Sequence, residues 1–139
     1  MRITLDTNQL VRALVRPPGL ATFVMAWESR RFLVVCSREL MAEYEYVLNH
    51  PDIKVLIYPE LLRTFTSHLR DDIELVDLPN IPQVCRDPDD DKVVATAIYG
   101  MVDYLVTDDD DLKTSAVVDV LHQSGIEVID MDRLVRILG

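Results

Sequence analysis

Glycine and cysteine are scarce in this sequence, and their scarcity excludes several kinds of site. The 139 residues include only four glycines and two cysteines. The glycines are too dispersed to form a phosphate-binding loop, which needs several of them close together. Cys36 and Cys85 fit neither a zinc-site spacing nor a redox pair, and Cys36 is expected in the core. With seven prolines, the composition also excludes a disordered or fibrous chain.

Long apolar runs and a basic stripe are missing as well. No stretch approaches the roughly 18 apolar residues that a membrane span requires, and an acid at position 6 falls where a signal peptide would need its apolar run. We therefore expect a cytoplasmic protein with no membrane partner, folded as a single domain over residues 1–139. The formal net charge of −10 argues mildly against a nucleic-acid substrate, because phosphate backbones attract basic surfaces.

Short apolar runs alternate with segments of helical periodicity along the whole chain. Strands are expected at residues 3–5, 32–36, 73–76, 104–106 and 126–129. Helices are expected at residues 8–15, 20–31, 37–48, 59–70, 88–100 and 115–123, with a short helix from residue 132. Strands separated by helices predict an α/β fold in which a central parallel sheet lies between two helical layers, a three-layer α/β/α sandwich.

Carboxylates gather at three places in this layout, and their positions predict a metal site. Asp6 ends the first strand, residues 108–111 are four consecutive aspartates after the fourth, and residues 87–91 open a helix. Ligands of open parallel sheets bind beyond the carboxyl ends of the strands, so Asp6 and residues 108–111 can meet in one crevice. Carboxylates gathered there repel one another, and a hard cation such as Mg²⁺ would stabilise them.

Structural roles compete with ligation for most of these acids. Asp87 suits a helix N-cap, and Asp89 and Asp90 complement the helix dipole. Asp91 precedes Val94 by three positions, so it is expected on the apolar stripe of the helix, where an unpaired carboxylate is costly. We therefore favour a functional role for Asp91.

Two assignments stay open on the residues alone. Asp6 could cap the following helix as easily as it could ligate a metal. On the helix 37–48, Glu43 and Glu45 border opposite sides of the apolar stripe, and periodicity barely separates them. Thr107 offers a hydroxyl at a strand end that could form a turn or hold a carboxylate or water.

Four motifs occur in order along the chain, and together they resemble the PIN domain family. The similarity is greatest to the group described as toxin components of prokaryotic toxin–antitoxin pairs, and it extends over nearly the whole sequence. The motifs are Leu5-Asp6-Thr7-Asn8, Ser37-Arg38-Glu39-Leu40-Met41-Ala42-Glu43-Tyr44, Asp87-Pro88-Asp89-Asp90-Asp91-Lys92 and Val106-Thr107-Asp108-Asp109-Asp110-Asp111-Leu112.

The resemblance implies a Mg²⁺- or Mn²⁺-dependent endoribonuclease, with an antitoxin protein as partner and a homodimer as a common assembly. Matched motif by motif, the catalytic acids would be Asp6, Glu43, Asp91 and Asp109. Metal ligation would fall to Asp6, Asp91 and Asp109, with Asp111 as an additional acid at the rim. The resemblance also implies that Asn8 and Thr107 hold carboxylates or waters. The candidates for phosphate contact, chosen because they lie near the acidic motifs in sequence, are Arg12, Arg16, Arg86 and Lys92.

One departure and two alternative functions accompany this hypothesis. Relatives commonly carry glycine or a basic residue at the position of Asp108, where an acid adds repulsion toward phosphate. The chain could therefore be a metal-binding module of the same fold that binds a protein or RNA without cutting. An aspartate-nucleophile phosphatase fits less well, because those enzymes normally carry a second acid two residues after the first, where this chain has Asn8.

Overall fold

The strands form one parallel sheet, as the alternation of apolar and helical segments predicts. The computed structural model describes residues 1–15 and 17–139, without the side chains of residues 17–21. The strands are β1 (Arg2–Leu5), β2 (Leu33–Ser37), β3 (Ile73–Val76), β4 (Tyr104–Val106) and β5 (Glu127–Ile129). They lie in the order β3-β2-β1-β4-β5, and each neighbouring pair is parallel.

The helices cover both faces of this sheet. They are α1 (Thr7–Val15), α2 (Pro17–Glu28), α3 (Arg38–Leu48), α4 (Pro51–Lys54), α5 (Pro59–Asp71), α6 (Asp91–Tyr99), α7 (Ser115–Gln123) and α8 (Met131–Leu138). The helix α6 packs against β1 and β2 and contacts α3 and α7, while α2 contacts α1 and α8, and α1 also contacts α3. The α/β/α sandwich expected from the sequence is confirmed.

The core lies between these layers and includes an aromatic group on the α2 side. Phe23 and Trp27 of α2 lie beside Phe65 of α5, with the ring centroids of Trp27 and Phe65 5.0 Å apart. Cys36 is buried in the core, as expected. Within the described residues, no helix is both long and apolar enough to span a membrane.

The structure and the sequence prediction differ most at three segments. The helix expected from residue 20 begins at Pro17, because the first turn of a helix has free N–H groups and accepts proline. The short helix α4 was missed, because Pro51 ends one helix in the sequence pattern and also starts the next. The helix expected over 88–100 is divided into a 3₁₀ turn at Pro88–Asp90 and α6.

Candidate metal centre

The candidate site lies at the carboxyl ends of β1 and β4, where the strand order reverses. From β1 the chain proceeds to β2 and β3 on one side, while β4 and β5 lie on the other. This reversal opens the crevice in which parallel sheets bind ligands. Asp6 and Thr107 are the first residues beyond the two strands, and the backbone ladder still holds them. Asp6 N–H donates to the Val106 carbonyl at 3.0 Å, and Thr107 N–H to the Ile129 carbonyl at 2.8 Å.

The buried hydroxyl of Thr107 links the two strand-end acids. It donates to Asp6 Oδ2 at 2.9 Å and accepts the N–H of Asp109 at 3.0 Å. Asp109 in turn caps the short turn Asp110–Leu112, since its Oδ1 accepts the N–H of Asp111 at 2.9 Å. Thr107 therefore holds a carboxylate, as its position in the motif suggested, and it fixes Asp6 and Asp109 relative to each other.

Asp90 and Asp91 face different surroundings. Asp91 is buried, as its place on the apolar stripe predicted. Its Oδ1 accepts the backbone N–H groups of Val84 and Cys85 at 2.9 and 2.8 Å. Burial opposes ionisation, but these two hydrogen bonds keep the pKa of Asp91 below its ordinary value. Asp91 thus has a structural partner, which removes the argument that its burial requires a metal.

Asp90, expected to complement the helix dipole, belongs to a cluster of acids. Oxygen atoms of Asp87, Asp90 and Asp111 all lie within 4.8 Å of one another. Asp87 is exposed, and Asp90 and Asp111 are partly buried. All three offer carboxylate oxygens, which are the ligands that Mg²⁺ and Mn²⁺ prefer. The donor set therefore fits a hard divalent cation. Asp111 was expected at the rim of the site, whereas Asp87 and Asp90 were not.

Burial and neighbouring negative charges also change the pKa values of Asp6 and Asp90. Burial, followed by the neighbouring charge of Asp109, raises the pKa of Asp6 to about 6. Burial and then the charges of Asp109 and Asp6 raise the pKa of Asp90 to about 7. Both shifts mean that the folded protein resists ionising these carboxyls together. A bound cation would relieve that repulsion.

Glu43 of α3 lies near Asp6, and the structure distinguishes its surroundings from those of Glu45. Glu43 is half-buried and its charge acts on Asp6, whereas Glu45 is exposed. Glu43 Oε2 accepts the hydroxyl of Thr7, and Oε1 pairs with Lys92 Nζ at 3.1 Å. The next residue, Tyr44, donates its hydroxyl to the carbonyl of Leu5, so α3 is fastened to the end of β1.

The polar residue beside Asp6 that contacts an acid is Thr7, not Asn8. Asn8 is exposed, and its expected role of holding a carboxylate or water stays a prediction. Thr7 is buried at the start of α1, where its hydroxyl reaches Glu43. A hydroxyl next to a strand-end acid, at a helix start, was the sequence signal that could have identified it. For Asp90 the signal was its three-residue spacing from Asp87, which places both on one side of a turn.

The cations chosen for phosphate contact are paired with acids. Arg12 pairs with Asp108, Arg86 Nη2 lies 2.8 Å from Asp111 Oδ1, and Lys92 pairs with Glu43. Arg16 lies outside the described residues. The pairing of Arg12 with Asp108 offsets the acid at the position where this chain departs from the expected motif. The positive charge near the site is therefore balanced by carboxylates.

Comparison with known proteins identifies a family and a related structure. A family model described as PIN domain matches residues 2–111. A comparison with curated proteins finds no match. Among solved structures, the fold is similar to a chain of VapBC2 from Rickettsia felis, bound to a DNA fragment from their promoter. The identity is 15%, the match covers 94% of this chain and 98% of that chain, and the TM-score is 0.56. The family predicted from the four motifs is confirmed.

Proposed function

Because the chain belongs to the PIN domain family, we propose that it is a divalent-metal-dependent endoribonuclease that hydrolyses RNA phosphodiester bonds. The main support for this proposal is that the Thr107 hydroxyl hydrogen-bonds to both Asp6 and Asp109 at the point where the strand order reverses. Acids from two strand ends, a helix and a turn converge there. A purely structural role would not need so many mutually repelling groups.

In this proposal Asp6, Asp90 and Asp109 hold Mg²⁺ or Mn²⁺, with Asp87 and Asp111 at the rim. Asp90 replaces Asp91 of the sequence hypothesis, because Oδ1 of Asp91 accepts the backbone N–H groups of residues 84 and 85, whereas Asp90 lies in the acid cluster. A divalent ion, when bound, lowers the pKa of water and neutralises negative charge on phosphoryl oxygens. Thr107 keeps the two strand-end carboxylates in place, so little rearrangement is needed on binding.

The remaining side chains supply orientation and charge. Glu43 lies at the edge of the site, where it can accept a hydrogen bond from a water molecule. Arg12 and Arg86 are exposed and are available to an RNA backbone once phosphate competes for them, and arginine suits bidentate phosphate contact. Lys92 was also a candidate for phosphate contact, but its pair with Glu43 is more buried. Their present pairing with acids supports selective RNA binding over strong non-specific attraction.

We also propose that the protein is the toxin component of a toxin–antitoxin pair, acting in the cytoplasm with an antitoxin as partner. The support is the shared fold with a chain of VapBC2, together with the motifs that resemble such toxins. A homodimer stays a prediction from the family resemblance. A single domain over residues 1–139 is proposed on the same grounds and on the one sheet that the described strands form.

A second candidate is a metal-binding module that binds RNA or protein without cutting. The paired cations and the net charge of −10 favour it, because both weaken attraction to phosphate. This candidate predicts metal binding without hydrolysis.

An RNA cleavage assay separates the two candidates. The purified chain is incubated with a pool of single-stranded and structured RNA in Mg²⁺, Mn²⁺ or EDTA, with Asp109→Asn as the control for contaminating nuclease. The endoribonuclease predicts cleavage that requires the metal and is lost in the variant. Thermal stabilisation by Mn²⁺ with no cleavage of any RNA would contradict it and support the binding module.

A further inference from the structure

Glu43 is held at both carboxylate oxygens by groups of the protein itself. Thr7 donates its hydroxyl to Oε2, and Lys92 Nζ lies 3.1 Å from Oε1. The side chains of Lys92 and Glu43 are only 21% and 31% exposed, so solvent screens this pair less than the arginine pairs at the surface. Asp6 and Asp109, by contrast, have no basic partner among the described residues.

The position of Lys92 is unusual for a lysine. It is the second residue of α6, where the positive end of the helix dipole disfavours a cation. A carboxylate or a neutral residue would stabilise this first turn better. The ion pair with Glu43 is the contact that compensates for the placement.

Resting on the metal site of the proposed function, we propose that Lys92 is a positioning residue that keeps the divalent cation off Glu43. Its ammonium group neutralises Glu43 and fixes the carboxylate together with Thr7. The metal is then left to Asp6, Asp90 and Asp109. Each oxygen of Glu43 retains a second lone pair, so Glu43 can still accept a hydrogen bond from water or from an RNA hydroxyl. Glu43 thus acts as a hydrogen-bond acceptor beside the metal rather than as a ligand.

Calorimetric titration of the metal-free full chain with Mn²⁺ tests this role without relying on activity. Lys92→Gln should bind Mn²⁺ on the order of tenfold more tightly, because a positive charge that repels the ion is removed. The double variant Glu43→Gln/Lys92→Gln keeps the net charge, so its affinity should stay within about threefold of the wild-type value. Lys92→Arg should restore wild-type affinity, since arginine keeps the ion pair.

Arg12→Gln is the matched control, because it removes the same charge from an exposed pair with Asp108. Its effect should be about twofold or less, as solvent screens that pair. Circular dichroism of each variant verifies folding. A loss of tenfold or more in the double variant would make Glu43 a direct ligand and overturn the inference. A wild-type chain that bound no Mn²⁺ would instead contradict the metal site of the proposed function.

Discussion

At the scale of single residues, two adjacent aspartates have separate roles. Asp91 fastens residues 84 and 85 to the start of α6 through two backbone N–H groups. Asp90 shares its surroundings with Asp87 and Asp111, and its pKa responds to Asp109 and Asp6. One acid therefore stabilises the fold, and its neighbour contributes to the proposed metal centre.

The sequence indicates the burial of Asp91 but not the reason for it. Helical periodicity relative to Val94 placed its side chain on the buried stripe, and it is buried. The acceptor role was not visible, because the N–H groups it satisfies belong to an irregular segment whose path no periodicity predicts. Thr107 was easier to predict, since its position follows directly from the end of β4.

Asp91→Ala should lower the free energy of unfolding by about 2 kcal/mol, because two backbone donors lose their acceptor. Urea denaturation measures the change. Asp89→Ala is the control, since Asp89 is exposed in the same turn, and its effect should stay within about 0.5 kcal/mol. An Asp91→Ala variant of unchanged stability that no longer binds Mn²⁺ would contradict this division of roles.

At the scale of elements, α6 connects the site to the core. Asp90 is the N-cap of α6, and Lys92 in the first turn pairs with Glu43. The last turn of α6 packs closely on β2. A helix over residues 88–100 was predicted with Gly100 as its end, and Gly100 does cap α6. The requirement for glycine is nevertheless a close approach, because Gly100 has φ −77° while Met101 takes the left-handed conformation at φ 49°.

Gly100→Ala should therefore destabilise the protein by about 1–3 kcal/mol through overpacking. A Cβ atom there would lie 2.5 Å from Val35 Cγ1 and 2.8 Å from the Thr96 carbonyl oxygen. Met101→Gly should be neutral or stabilising, because glycine adopts positive φ without strain. Urea denaturation of both variants checks the pair, and equal stability of Gly100→Ala and wild type would refute the packing argument.

Element order and sheet direction were predictable because at least one helix separates each strand from the next, whereas exact boundaries were not. The turn at Pro88–Asp90 and the helix α4 depend on local caps by Asp87 and His50. Such caps compete with continuation of the neighbouring helix, and tertiary packing decides the outcome.

At the scale of the whole molecule, several of the excess acidic residues lie together in one region. Part of the net charge of −10 is concentrated where β1 and β4 end, and burial there raises the pKa values of Asp6 to about 6 and Asp90 to about 7. Judged from the composition alone, these charges argue mildly against an RNA substrate. The sheet topology places them where a cation can neutralise them.

The metal-free protein should lose stability as the pH rises. The carboxyls of Asp6 and Asp90 have pKa values in the folded state above the unfolded value of about 3.9. Between the unfolded and folded pKa values, the folded state therefore binds more protons than the unfolded state. The contribution of the two carboxyls to the free energy of unfolding is fully present below about pH 4 and is lost as the pH rises through 6 and 7. The lowered pKa of Asp91 acts only below that window.

The melting temperature in EDTA should therefore decrease as the pH is raised from 5 to 8. Over the same interval the stabilisation by Mn²⁺ should increase, because the metal ligands must be deprotonated. Asp90→Asn should flatten both trends. A melting temperature in EDTA that rises over this interval would be incompatible with the raised pKa values.

The most direct test of the central claim compares RNA cleavage by two variants of neighbouring aspartates. Asp90→Asn removes an acid of the proposed metal centre, and Asp89→Asn makes the same chemical change at an exposed position of the same turn. With Mn²⁺ present, we expect Asp90→Asn to cut RNA at least on the order of a hundredfold more slowly than wild type, while Asp89→Asn retains the wild-type rate. Equal rates for Asp90→Asn and wild type would contradict the account of this site.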